Sequence, residues 1–227
     1  KSRPAFTNDY QKDYSVRVTW QASQKDRIAG SSSFQSNCNC VFNLLTGGRT
    51  TPEAAGEHHY YPNYNPALSW TRTASSRILI EAGVSAQNLD QNDTRAGNLS
   101  GTDKGSEQNL RITDQGLNLS YGAPTATRSV PRRQYQERVA VSYITGSHSA
   151  KVGFRLHQNI AMYPINFRNN TQLSYQFTNG VPSQVTAYAD VNSSQEQHQF
   201  MYAIYAQDRW TAKRLTLQGG LRFEHLG

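Results

Sequence analysis

Residues 200–223 contain two runs that alternate between apolar and polar side chains, and this alternation leaves the chain few folds to choose from. In the first run Phe200, Tyr202, Ile204, Ala206 and Trp210 share one parity, and Gln199, Gln207 and Arg209 hold the other. After 211–213 the pattern resumes, with Leu215, Leu217, Gly219, Leu221 and Phe223 set against Arg214, Thr216, Gln218, Arg222 and Glu224. Successive side chains on a strand point to opposite sides, so the pair reads as a hairpin with one apolar wall and one wet, charged wall. A soluble sandwich hides the apolar wall in a core. A transmembrane barrel turns it to lipid and keeps the charges in its lumen.

The same period recurs along the chain. Tyr14, Val16, Val18 and Trp20 alternate with polar neighbours, as do Ile78, Ile80, Ala82, Val84 and Ala86. Shorter runs follow at Leu117–Tyr121, Val139–Tyr143 and Val152–Leu156, the last facing away from Lys151, Arg155 and His157. Leu173, Tyr175 and Phe177 lead into Asn179–Gly180, a strong hairpin signal. With 27–34, 66–73 and 184–190 this predicts about ten strands of the ~9–11-residue length that crosses a membrane. The expected fold is all-β, an antiparallel meander forming a barrel or part of one, as a single domain over residues 1–227. Short connections fall near Gln24–Lys25, 74–76, Gly146 and Lys213, and long ones at 35–65, 88–109, 122–132 and 158–170. Tight turns at one end and long loops at the other are the asymmetry of an outer-membrane barrel. Tyr14, Trp20, Trp70, Tyr143, Trp210 and Phe223, near strand ends, fit an interfacial girdle or the rim of an ordinary core.

Composition narrows the class. Apolar residues make up 36%, below the ~45–50% of globular domains. Uncharged polar residues fill the gap, since charged ones reach only 17%, and 13 Tyr argue against disorder. The net charge of +7 is scattered over alternating positions, with Arg132–Arg133 the longest basic pair, so no nucleic-acid partner is expected. No apolar stretch nears the ~20 residues of a membrane-spanning helix, which says nothing against a barrel. The chain opens on Lys1 without a signal peptide, so it reads as a piece of a longer protein.

Residues with chemistry are few. Cys38, Cys40, His58 and His59 have the ligand types of a zinc site, but Cys-x-Cys is tighter than the usual spacing and adjacent histidines on a strand point opposite ways. No metal or cofactor is therefore expected, and the segment reads as a polar surface loop. A disulfide between cysteines one residue apart closes a small ring and is a poor staple. Ser147, His148 and Ser149 have no nucleophile elbow around them and read as a turn, so no catalytic residue is assigned and an enzyme is not the favoured reading. Asp90, Asp93, Asp103, Glu107 and Asp114 lack the ordered calcium-loop pattern and read as a solvated stretch. His157, His198 and His225 read as wet-face residues.

Certain segments also resemble a known family. Tyr205-Ala-Gln-Asp-Arg-Trp210 with Lys213-Arg-Leu-Thr-Leu217 and Gly220-Leu-Arg-Phe223 resembles a hairpin of TonB-dependent outer-membrane receptors, above all the Oar-like, carboxypeptidase-regulatory-like group. Tyr143-Ile-Thr-Gly-Ser-His148, Lys151-Val-Gly-Phe154, Phe177-Thr-Asn-Gly-Val-Pro182, Arg77-Ile-Leu-Ile-Glu-Ala-Gly83 and His58-His-Tyr-Tyr-Pro62 are similar to it as well. The resemblance implies a bacterial outer-membrane location, lipid as a partner, and import energised by the TonB complex for the intact parent. Such receptors have a barrel of about 22 strands around a plug. This chain reads as an internal piece of that barrel, without the plug. Ligand capture is expected at loops 35–65 and 88–109, with Tyr60, Tyr61, Tyr64 and Trp70 as ligand-binding residues, because stacking rings with polar tips suit glycans and peptides. The alternative is a soluble β-barrel or sandwich with hydrolase activity.

Overall fold

Four tight turns at one end set the architecture. In this computed structural model, residues 8–42, 49–51, 54–95, 110–122, 128–164, 173–187 and 194–227 are described. They form β1 (Asn8–Gln21), β2 (Asp26–Phe42), β3 (Arg49–Thr50), β4 (Gly56–Tyr64), β5 (Ala67–Thr73), β6 (Ile78–Arg95) and β7 (Ile112–Asp114). β8 (Leu119–Tyr121), β9 (Arg128–Ile144), β10 (His148–Pro164), β11 (Leu173–Thr178), β12 (Val181–Ala187), β13 (Ser194–Ala212) and β14 (Leu215–Leu226) follow. The fold is all-β, with more strands than expected.

Nine strands make one antiparallel sheet in the order β1-β2-β4-β6-β9-β10-β13-β14, with β5 continuing the line of β4 between β2 and β6. The meander is bent into eight staves. β1–β2, β5–β6, β9–β10 and β13–β14 join through the short turns the sequence marks, and Lys213 takes φ 54° in the last of them. The long connections all leave from the opposite end. There they build a second, five-stranded sheet, β12-β11-β7-β8-β3, which includes the parallel pairs β11–β7 and β3–β8. Asn179 (φ 52°) and Gly180 (φ 81°) turn β11 into β12 as the Asn-Gly pair predicts.

Parts of the expected loops are strand, which corrects the sequence reading. β2 continues to Phe42 and pairs with β1 as far as Cys40, β4 occupies 56–64 within 35–65, and β6 runs to Arg95, with 96–109 outside the described residues. β9 begins at Arg128 and β10 ends at Pro164, so 122–132 and 158–170 are shortened in the same way.

Register lines up the apolar wall. Across the sheet, Ala82 stands opposite Val139, Val139 opposite Phe154, Phe154 opposite Ile204 and Ile204 opposite Phe223. The row above the short turns runs Trp20, Ile28, Trp70 and Ala82. This wall is open: Val16 and Val18 are 62% exposed, Ile204 52% and Leu221 86%. A soluble sandwich needs a second layer over these residues, and among the described residues none covers them. What is buried is mostly small or polar, including Ala140, Ala161, Ala203, Asn63, Gln91 and Val130. Among the described residues no helix is long and apolar enough to cross a membrane.

Candidate functional site

The opposite wall carries the charge. Ala29, Ser31, Ala67, Ser69, Gly83 and Ser85, from β2, β5 and β6, floor a hollow of about 380 Å³ rimmed by Arg17, Arg138 and Arg155. Small side chains open the hollow. A Cβ at Gly83 would stand 3.0 Å from Arg138 Nε, so the missing side chain is what lets that guanidinium lie across the strand. Arg138 and Arg155 are direct cross-strand partners, an arrangement that costs stability unless something anionic sits nearby. Among the described residues Arg17, Arg138 and Arg155 make no ion pair, whereas Lys151 pairs with Glu81 and Arg222 with Glu224. Arg222 also lies over the Tyr205 ring, 6.0 Å from its centroid. The inner wall is therefore a polar, net-basic surface suited to anions and hydroxyl-rich ligands.

The four aromatic residues expected to bind ligand do not form one cluster. Tyr61 and Tyr64 pack on Phe34 with ring centroids 5.7 and 5.3 Å away, and both remain substantially exposed. Tyr60 is opposite Asn37 while Tyr64 is opposite Phe34. Those β2 positions are three residues apart, so the register shift at the cis Tyr61–Pro62 bond leaves Tyr60 on the other face. Trp70 faces Ile28 on β2, roughly 20 Å down the strand from Phe34 at the rise of an extended chain. Its indole Nε1 donates to Asp26 Oδ1 at 3.1 Å, next to the Asp26–Arg72 ion pair. A ring in the apolar wall with a polar tip toward the short turns has the form of an interfacial anchor.

The cysteine and histidine candidates are only partly brought together. Cys38 and Cys40, whose redox state the sequence leaves open, form a disulfide with Cα atoms 5.3 Å apart. The sequence argument weighed ring size and missed that i and i+2 on a strand share a face at a separation within disulfide range. His58 and His59 do point apart: His58 Nδ1 pairs with Gln91 Nε2 at 3.4 Å, and His59 Nε2 meets Glu57 Oε2 at 2.6 Å. Cys38 Sγ lies 3.7 Å from His59 Nε2. Glu57, which nothing in the sequence singled out, joins Cys38 and His59 instead of His58.

Other expectations resolve similarly. His148 heads β10 after the turn, holding Asp208 through Nδ1 at 2.6 Å and stacking on Trp210. His225 lies opposite Tyr202, with ring centroids 5.2 Å apart, and so stands on the apolar parity rather than the wet one; His198 shares the parity of Phe200 and Tyr202. Asp103 and Glu107 lie outside the described residues. Asp90 is paired with Arg133. Asp114 is fully buried, not solvated. Its carboxylate accepts from the backbone N–H groups of Leu117 (3.0 Å), Asn179 (2.9 Å) and Gly180 (2.6 Å), tying the β7–β8 turn to the β11–β12 hairpin. Burial raises its pKa, but those donors outweigh it and hold the carboxyl below its ordinary value.

An antiparallel meander with short turns at one end, an open apolar wall and a polar opposite wall has the pattern of a membrane barrel. A family profile described as an outer membrane beta barrel domain matches residues 2–227. The chain belongs to this family. It is thereby an outer-membrane β-barrel protein of bacteria. Its fold is similar to that of the outer membrane transporter YddB from Escherichia coli, with a TM-score of 0.60 at 14% identity over 98% of this chain. The barrel chain spans 28% of that transporter's length. No curated protein matches it.

Proposed function

We propose that this chain is an arc of a larger TonB-dependent transport barrel whose upper strands and inner wall capture a glycan or peptide for import. The observation that carries the reading is the pairing of an exposed apolar wall with an opposite wall whose Arg17, Arg138 and Arg155 guanidinium groups border an open hollow. An arc, rather than a closed eight-stave barrel, is favoured because β1 and β14 each pair on one side only among the described residues. Unpaired strand edges are not tolerated in hydrocarbon, so neighbouring strands of the parent would close the ring. Tyr61 and Tyr64 supply rings at the mouth, with Tyr60 on the opposite face of the same strand. Trp70 is reassigned in this reading from ligand contact to membrane anchoring.

The test is uptake by the full-length protein in cells. Import that stops when TonB is removed, and weakens when Arg138 and Arg155 are both changed to Gln, is the expected result. Import that continues without TonB overturns the energised mechanism. For the chain by itself, light scattering should find aggregation relieved only by detergent; a monodisperse species in plain buffer would overturn the lipid-facing assignment.

A further inference from the structure

The β2–β4 pair places four metal-ligating residues on one face of a ladder. Cys38 stands directly opposite His59, and Cys40 follows Cys38 as Glu57 precedes His59, each two residues away on its own strand. Side chains at i and i+2 share a face, so both strands present their donors to the same spot. The Cys38 Sγ, His59 Nε2 and one Glu57 carboxylate oxygen all lie within 4.8 Å of one another. Cys38 is 2% exposed, Cys40 0% and Glu57 3%, so these are placed groups rather than surface charges.

We infer that Cys38, Glu57 and His59, with Cys40 as the adjacent fourth donor, form a zinc-class metal site that is available only when the Cys38–Cys40 disulfide is reduced. The dimensions support it. Zinc–sulfur and zinc–nitrogen bonds of about 2.3 and 2.05 Å at a tetrahedral angle put the two ligand atoms about 3.5 Å apart. Cys38 Sγ and His59 Nε2 are 3.7 Å apart. The His59–Glu57 contact, at 2.6 Å, would open by less than about 1 Å to reach the corresponding nitrogen–oxygen edge. Thiolate and imidazole together select a borderline-soft ion over calcium or magnesium. His59, with its side chain 31% exposed, provides the way in.

Disulfide and metal compete for the same sulfur. An external thiol reductant supplies two electrons and two protons: two RSH become RSSR while Sγ–Sγ gives two thiols, whose protons pass to solvent as the ion binds. The strand pair thus has two alternative cross-links. One closes a small ring within β2; the other clamps β2 to β4.

Cobalt(II) is the probe, added to the full-length protein in detergent before and after mild reduction. The expected result is one cobalt per chain with a thiolate charge-transfer band, in the reduced form only. Cys38→Ser should weaken the band and the binding, the Cys38→Ser/Cys40→Ser double variant should abolish the band, and Glu57→Gln and His59→Ala should each weaken binding at least about tenfold, with the β-type circular dichroism retained. His58→Ala should leave binding unchanged, since His58 faces Gln91 instead. Equal cobalt uptake by oxidised and reduced protein overturns the site, as does a loss on His58→Ala as large as that on His59→Ala. Glu57→Gln keeps the test decisive if Cys38→Ser does not fold.

Discussion

The staves near the short turns and their extensions at the far end are the same kind of ladder carrying two different side-chain patterns. Near the turns, from the Ile78–Tyr143 row to the Ala86–Tyr135 row, one parity is apolar except for Glu137 opposite Val84, and the other is mostly polar. Farther along, β2, β4 and β6 carry Asn37, Asn39, His58, Gln91 and Asn92, and polar residues stand on both parities. Backbone pairing continues through both halves without a break between β1 and β2, from the Gln21–Arg27 pair to the Asn8–Cys40 pair. Hydrogen bonding makes the strands; the medium on each face writes the side-chain period. A strand with lipid on one side needs a period of 2, and a strand with water on both sides needs none.

This contrast predicts where substitutions will hurt. The largest effect is expected from Ile204→Arg in the middle of the lipid-facing row, at about 2–4 kcal/mol of stability in bilayers. Asn39→Arg, in the extension, should change stability by less than about 0.5 kcal/mol. Denaturant titration in vesicles checks both, and equal costs would erase the distinction. Next comes Asp114→Ala, which should leave the staves intact while the amides of Leu117, Asn179 and Gly180 exchange at least about tenfold faster. Spread of that change into β9 or β10 would mean the two sheets are one cooperative unit.

The pH response follows from the same carboxylate. Because the folded pKa of Asp114 is lowered, its contribution is complete above the ordinary carboxylate value near ~4 and is lost as pH falls through the folded value. Protection of the β11–β12 turn should therefore fade on acidification below about pH 4, before the staves respond. In Asp114→Asn this acid step should be absent. The smallest effect is expected at Lys151→Gln, where both partners of the Glu81 pair are partly solvated, at about 0.2–1 kcal/mol. A larger loss would make the inner wall far drier than its exposure implies.

The same physics explains what could be read without coordinates. The tight turns at Gly146, Lys213 and Asn179–Gly180 and the apolar rows of β1, β6, β9, β10, β13 and β14 were legible because period and turn chemistry agree there. The upper halves of β2, β4 and β6 were not, since Asn, Gln and Ser on both faces imitate a loop and only the partner strand reveals a ladder. Cys38–Cys40 and Glu57–His59 were hidden for the same reason: once a segment reads as loop, i and i+2 no longer share a face. Asp114 was missed because its ligands are backbone N–H groups of a hairpin more than sixty positions away. The splitting of Tyr60 from Tyr64 rests on a register shift at Pro62, which side-chain pattern does not encode.

The strict meander of the main sheet carries a consequence for how such a protein enters its membrane. Each stave neighbours the next one in sequence, and the strands described within the excursions, β3, β7, β8, β11 and β12, belong to the other sheet. A growing sheet therefore always offers one fresh edge, and the segment that fits it is the one about to arrive. Assembly can proceed as a zipper, hairpin by hairpin, with little search for distant partners. Each added hairpin satisfies one edge and exposes another, so the intermediate is never finished in lipid until a last strand meets the first. If the chain is an arc, as proposed, its insertion on its own would stall with two open sides, and machinery that helps it in would have to shield an edge rather than a core.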